Sequence, residues 1–483
     1  MKRFLTILFA TLLLSAALCV SVSAYSFDGA AEELSAIGIF KGSASGFQLD
    51  QAPTRSQAAI MLVRLYGAEE EAKAAYAAGN IKCPFADVGE TAAPYVAWLV
   101  EKGVANGVSA DSFGAANPCT GKAYTIFLLR ALGYKDGEDF TTANAQEFGL
   151  TRGLFSPSAL TGTFLRDDLA ALTYQALACD LKDGSTYLLD SLIKSGAIDA
   201  AAAKPVTDKI ETYRSLQSVT TETMGGCLDT DISMKAGFSY SMKGQSGGTP
   251  LDMAESMEFT GSGNAKVRMT EEDMEMAMTL GLKMEDETMD AEMWLKDGMV
   301  YVRSGEETYK EEIPGLAELS ASAMPVKANA ALLPFLESVT SKTSGTDTIY
   351  TLALNDALAN TADDFISKIF SFMADAGQIS TASSMDGSVF TYTLDKDGQL
   401  KNASVSFNIG FTMDINLGEG EQGTFKISMK MDMDMDVKAT GKDVKITFPD
   451  FSDFKEASAS AANERVIGGA DGPTSIFATA IPA

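Results

Sequence analysis

The sequence predicts a multidomain chain: an all-α bundle of three helical repeats, then an α+β domain whose large curved antiparallel sheet is covered by helices. Three observations carry this reading. A short unit at residues 37–67 recurs twice before residue 200. Beyond residue 208, apolar residues alternate with period 2 over long stretches, as on half-buried strands. Two segments with helical apolar spacing interrupt the alternation. The chain of 483 residues suffices for about three domains, and its 46% hydrophobic content can fill their cores.

Residues 1–24 read as a secretory signal, with basic Lys2 and Arg3, an apolar run and the small-residue cleavage site Val22-Ser23-Ala24. The first repeat follows. Gly38 and Gly42 stand four apart, as a helix stop and a turn require. Phe47 is an apolar plug in a polar loop, and Thr54 is the N-cap of the next helix. Ala59, Met61, Leu62 and Leu65 form that helix's buried stripe. One such unit cannot cover its own apolar face, so copies are required. In the second, Gly103 and Gly107 repeat the pair, Phe113 repeats the plug, and residues 120–133 match 54–67. In the third, Gly149 and Gly153 repeat the pair, and Arg166 follows Gly149 by 17 residues, as Arg55 follows Gly38. The repeats span about 28–67, 85–134 and 140–200, together 28–200. Residues 187–198 read as a closing helix and 201–207 as a linker.

The run Thr54-Arg55-Ser56-Gln57 resembles the Thr-Arg-Ala-Glu-like motif of the S-layer homology (SLH) family, and Phe85-Ala86-Asp87-Val88 resembles the start of its repeats. The resemblance implies three tandem repeats that anchor a secreted protein non-covalently to cell-wall polysaccharide, an acidic, pyruvylated polymer, at a bacterial cell surface. The residues implied to bind glycan are Thr54, Arg55, Lys122 and Arg166. Arg55 would hold a carboxylate with its planar fork. Thr120-Gly121-Lys122-Ala123 lacks the arginine and Leu165-Arg166-Asp167-Asp168 lacks the threonine, so one or two working sites are expected. Taken singly, each cation also reads as a solvated helix-start residue.

From 208 to 455 the texture is that of strands. Met274, Met276, Met278, Leu280, Leu282 and Met284 share one face; so do the alternate residues of 405–417 and of 425–437, including Met431 and Met433. Asp297-Gly298 and Asp397-Gly398 are hairpin turns. Residues 444–449 read as a terminal strand. Helices are expected at 326–339 and at 357–376, the latter with Phe365 and Phe370 in its buried stripe. Thioether rows can ligate Cu(I), but these methionines share their face with Phe, Ile and Leu, so adaptable packing is the preferred reading. No metal and no cofactor is expected. Met293-Trp294-Leu295-Lys296-Asp297-Gly298-Met299-Val300-Tyr301 and Thr308-Tyr309-Lys310 resemble the LolA/LppX-like superfamily, in its uncharacterised Gram-positive secreted branch. That resemblance implies an unclosed barrel capped by helices, with a groove for a lipid or other hydrophobe. The expected groove lining is Met274, Met276, Met278, Phe365, Phe370, Met431 and Met433. Residues 456–483 form a Gly/Pro-broken tail, in which 466–477 resemble a loop of sodium-pumping decarboxylase β subunits.

Composition narrows the function. With 38 basic and 65 acidic residues, the chain would repel nucleic acid. It has no histidine, which removes Ser-His-Asp and Cys-His catalysis and HExxH metal sites. No apolar run after the signal is long enough for a transmembrane span. Cys83, Cys119, Cys179 and Cys227 match no disulfide framework; free thiols are expected, with Cys83–Cys119 as the alternative pair. The combined expectation is a non-enzymatic wall-anchored protein displaying a β domain. The rival is a hydrophobe carrier tethered by the repeats.

Overall fold

The computed structural model describes residues 27–456, apart from 44, 155–162, 225–226, 247–248, 270–273, 285–286, 313–329, 356–377, 385–386, 419–420 and 442–443. The expected signal, the helix at 357–376 with Phe365 and Phe370, and the tail beyond residue 456 lie outside the described residues.

The first half is helical: α1 (Asp28–Ala36), α2 (Arg55–Leu65), α3 (Glu69–Ala77), α4 (Ala93–Glu101), α5 (Gly121–Ala131), α6 (Ala145–Thr151), α7 (Arg166–Leu177), α8 (Leu188–Lys194) and α9 (Ala200–Met224). Gly38, Gly103 and Gly153 end α1, α4 and α6 in left-handed conformation, where a Cβ would be strained. Gly149 lies inside α6, so Gly153, rather than Gly149, corresponds to Gly38. The helix ends are satisfied alike in the first two units. Arg64 donates to the Ile39 carbonyl at 3.0 Å and Arg130 to that of Val104 at 2.5 Å. Helix α3 lies outside the repeated unit of residues 37–67. Its Glu69 carboxylate accepts from Tyr95 at 2.7 Å and pairs with Arg64 at 3.1 Å, while Trp98 donates to Glu71 at 3.1 Å, which holds α3 on α4.

Residues 201–207, expected as a linker, belong to α9 despite Pro205. Val206, Ile210, Tyr213 and Leu216 are buried at helical spacing; this stripe offsets the hydrogen bond that proline removes. The helix packs against the sheet, and buried apolar residues form one continuous cluster from Phe27 to Met433.

The second half is a sheet of β1 (Cys227–Ser246), β2 (Thr249–Met269), β3 (Met274–Met284), β4 (Glu287–Lys296), β5 (Met299–Ser304), β6 (Glu307–Glu312), β7 (Leu336–Ser344), β8 (Asp347–Leu354), β9 (Gln378–Ser384), β10 (Val389–Leu394), β11 (Leu400–Gly418), β12 (Glu421–Thr440) and β13 (Lys455–Glu456). Its order is β13-β6-β5-β4-β3-β2-β1-β12-β11-β10-β8-β7, with β9 on the far half of β11. Pairing is antiparallel except for β13 on β6. The two ends of this order do not meet, so the sheet is unclosed. The helix expected at 326–339 is corrected. Its described part is a 3-10 turn at Ala330–Phe335 containing Pro334, followed by strand β7; β-branched Val339, Thr340 and Thr343 suit the extended form. Residues 444–450 are not a strand. Phe448, Phe451 and Phe454 form an aromatic strap on the outer face, where Phe451 stacks on Tyr301 at 3.7 Å and Phe454 meets Trp294 edge-on at 6.0 Å.

The close approach of β2 to β3 depends on glycine. A Cβ on Gly263 would lie 1.8 Å from the Thr279 carbonyl oxygen, and one on Gly261 would lie 2.9 Å from both Met234 and Leu282. Gly263→Ala is therefore expected to cost about 1–3 kcal/mol or more and to open the β2–β3 pair, read as faster backbone hydrogen exchange in β3 than in wild type. Unchanged exchange and melting would refute this packing.

Candidate functional site

Two helices that open with a predicted site residue, α2 and α7, dock on a loop from another unit. The backbone N–H groups of Arg55 and Ser56 donate to the carbonyls of Asn117 at 2.8 Å and Ala115 at 3.2 Å. Those of Arg166 and Asp167 donate to Gln51 at 2.8 Å and Leu49 at 3.1 Å. The first N–H groups of α2 and α7, which have no partner inside their own helix, are thus satisfied by a neighbour. Two grooves result: α2 against the loop 106–117, and α7 against the loop 40–51.

In the α2 groove, Thr54 caps its own helix. Its hydroxyl accepts from Gln57 N–H at 3.2 Å, and the Gln57 side chain accepts Thr54 N–H at 2.9 Å, a reciprocal capping box. Arg55 is half-buried. Its Nε donates to the Phe113 carbonyl at 3.0 Å, its Nη2 to that of Asn106 at 2.8 Å, and it lies 4.7 Å from the Phe113 ring centroid. The loop is stiffened by Asp87, whose carboxylate accepts from Phe113 N–H at 2.8 Å, Ala115 N–H at 2.9 Å and Ser112 Oγ at 3.0 Å. The Ala115 and Phe113 amides hold its pKa down, to about 2.

In the α7 groove, Arg166 is buried, with its guanidinium 5.6 Å from the Phe40 ring centroid. Asp167 turns inward and accepts Phe27 N–H at 2.7 Å. Asp168 accepts Leu165 N–H at 2.7 Å, and Leu165 has no side-chain oxygen to complete a capping box. Burial pushes the Asp167 carboxyl up to about 7, with Asp168 and Asp28 adding to the rise, and pushes Asp168 up to about 6. Lys122, near the start of α5, is half-buried and has no ion pair among the described residues.

The structure therefore separates Arg55, Lys122 and Arg166 among three helix starts. Phe113, Phe40 and Asp87 complete the grooves, and the sequence reading gave the aromatics only a packing role or none. The signal for Phe113 was present in the recurring plug aromatic; Phe40 lies outside that recurrence and had none. The four cysteines are all free, so the alternative Cys83–Cys119 pair is not formed. In the sheet, Met276, Met278, Met431 and Met433 are buried on the inner face. Paired strands put Met431 and Met433 on β12 and the other two on β3, three strand spacings away. Met274 lies on β3, but its side chain lies outside the described residues. The far half of the inner face is less covered: Phe238, Tyr240, Met429 and Ile409 are half-buried and Met257 is exposed.

Residues 84–123 match the S-layer homology domain family. No curated protein matches the chain. Among solved structures, LprF from Mycobacterium bovis is similar at 8% identity and TM-score 0.24, over 50% of this chain and 97% of that one. A DUF1329 family protein from Desulfovibrio piger is similar at 9% identity and TM-score 0.16, over 50% and 95%. The ywiB protein from Bacillus subtilis is similar at 12% identity and TM-score 0.11, over 42% and 92%. No helix among the described residues is long and apolar enough to cross a membrane.

The inward carboxyl of Asp167 gives the α7 groove a pH dependence. Its folded pKa of about 7 lies above the unfolded value of ~3.9. Its contribution to stability is therefore full below pH ~4 and is lost as pH rises through about 7. The melting temperature of the wild type relative to Asp167→Asn should fall between pH 5 and pH 8. A constant difference across that range would refute the burial of this carboxyl.

Proposed function

We propose that this is a secreted, non-catalytic protein anchored non-covalently to an acidic cell-wall polysaccharide through three S-layer homology repeats, and that it displays the β domain at the bacterial surface. The observation that carries the reading is the match of residues 84–123 to the S-layer homology domain. It is supported by the way the helix starts of α2 and α7, on either side of that domain, dock on neighbouring loops by the same pair of backbone bonds. Thr54 serves as cap, while Arg55, Lys122 and Arg166 supply cations at groove mouths. An arginine above an aromatic ring suits a carboxylate-bearing sugar, because the ring supports the planar fork without neutralising it. The full chain is expected to sediment with wall sacculi that carry their acidic polymer and to stay in solution with sacculi stripped of it. Equal sedimentation with both would refute the anchor.

A second reading is favoured by the half-buried Phe238, Tyr240, Met429 and Ile409 beside exposed Met257. Such a pliable apolar face suits a lipid or other hydrophobe. A fluorescent fatty acid should then bind the full chain saturably, and Met429→Asp should weaken that binding at least tenfold while the fold is retained. Absence of saturable binding would leave display as the role of the sheet.

A further inference from the structure

We propose that the chain associates with a second copy of itself through the outer half of β2, the two strands pairing antiparallel about a two-fold axis at Ala254. The observation that carries this is an open edge. Strand β2 is paired with β1 from Thr249 to Arg268 without a register shift. Strand β3 covers its other side only from Thr260 to Met269. Residues 250–258 therefore present an unbroken row of backbone donors and acceptors that no other strand takes up among the described residues. Such a row is a template for an added strand. The other edges are blunted. Strand β13 lies on β6 at Tyr309 and Lys310, β7 carries a bulge between Leu336 and Ser338 and also Lys342, and β9 is short, at 7 residues. The outer half of β2 has neither bulge nor lysine, and Ala254 to Glu258 are all exposed.

Charge and free length select the occupant. The edge carries Asp252, Glu255 and Glu258, and a strand laid on it must not oppose them with carboxylates. The free length runs from Pro250, which has no N–H to extend it, to Glu258, just short of the residues paired with β3. Its midpoint is Ala254. An antiparallel copy centred there sets Asp252 opposite Ser256, Glu255 opposite Met253 and Glu258 opposite Pro250, so no carboxylate directly faces another. Asp252 and Glu258 are already countered from β1, by Lys243 at 3.6 Å and Lys235 at 3.5 Å. A centre at Glu255 would set that carboxylate against itself, and a centre between two residues would set inner-face side chains against outer-face ones. The interface is isologous and closes at two copies. Strand pairing this short buries less than a standard interface, so the association is reversible and weak. The pairing does not depend on wall anchoring. Because the paired strands run in opposite directions, the helical halves lie at opposite ends of the dimer, and with the proposed anchoring each dimer carries two anchors, which raises avidity without a new contact.

The test is the mass of the full chain by sedimentation equilibrium over a hundredfold range of concentration, with backbone amide exchange read in parallel. The wild type should pass from monomer to dimer, and amides within 251–257 should exchange at least tenfold slower in the dimer while those of β7 stay unchanged. Ala254→Lys sets two ammonium groups against each other at the axis and should weaken association at least tenfold with secondary structure unchanged. Ala254→Cys treated with a short bis-maleimide should give a covalent dimer that the wild type, with its own four cysteines, does not. Should Ala254→Lys fail to fold, the cross-link and the wild-type exchange decide. A monomer at every concentration would overturn the proposal, as would a dimer that leaves β2 exchange unchanged or that Ala254→Lys forms as readily as the wild type. Growth beyond the dimer would indicate head-to-tail contact between copies and overturn the two-fold pairing.

Discussion

The ammonium of Lys209 sits almost out of water on α9, 2.9 Å from Glu33 of α1 and 5.1 Å from the ring centroid of Tyr174 on α7. Tyr174 donates its hydroxyl to the other oxygen of Glu33. Burial lowers the pKa of Lys209, and Glu33 opposes that shift. Three helices from distant parts of the chain therefore share one charged knot, and each partner depends on the other two. Removing Glu33 would leave the ammonium of Lys209 almost out of water without its carboxylate, which is destabilising. Since α9 also lies on β7 and β11, the knot fixes the helical half against the sheet. Phe27 against Phe335 at 5.1 Å, and the Ala330 N–H to Gly153 carbonyl bond at 3.3 Å, reinforce the same joint. A linker at 201–207 would have left the halves independent.

The inner and outer faces of the sheet follow from simple alternation. Met234 of β1 pairs with Met433 of β12 on one side and with Gly261 of β2 on the other, and the missing side chain at Gly261 makes room for Met234 and Leu282. On the opposite face, Trp294 and Tyr301 would be bare without the strap of Phe448, Phe451 and Phe454. Arg303 lies 5.1 Å from the Trp294 ring centroid and pairs with Glu292 at 2.8 Å. The strap then adds β13 to the edge of β6, which shortens the exposed edge.

Much of this was legible in the residues, where the signal was local. The row from Met276 to Leu282 gave β3, and Asp297-Gly298 gave the β4–β5 turn, with φ of 52° and 73°. The repeat of glycine, aromatic plug and threonine cap gave the first two helical units. What could not be read depended on partners far away in sequence. Leu332, Leu333, Phe335 and Leu336 look the same on a helix or a strand, and only pairing with β8 made Leu336–Ser344 extended. Gly149 and Gly153 are equivalent on paper until helix α6 absorbs the first. Arg55 carries the fuller motif, but its fork is spent on carbonyls 51 and 58 residues away. The inward turn of Asp167 arises because it finds its partner at Phe27, 140 residues earlier.

The length of the central strands sets a physical scale. Strand β10 stops pairing with β11 at the level of Ser406, whereas β11 continues to Gly418, roughly 40 Å farther at ~3.3 Å per residue. The hairpin of β1 and β2 extends alongside, with 20 and 21 residues. The tips of these strands therefore stand well away from the joint held by Lys209. With the helical half fixed to a surface, the sheet becomes a stiff mast. Its tip is carried out by a distance set by strand length, and the rigid root at α9 means that tilting the base swings the tip as one body.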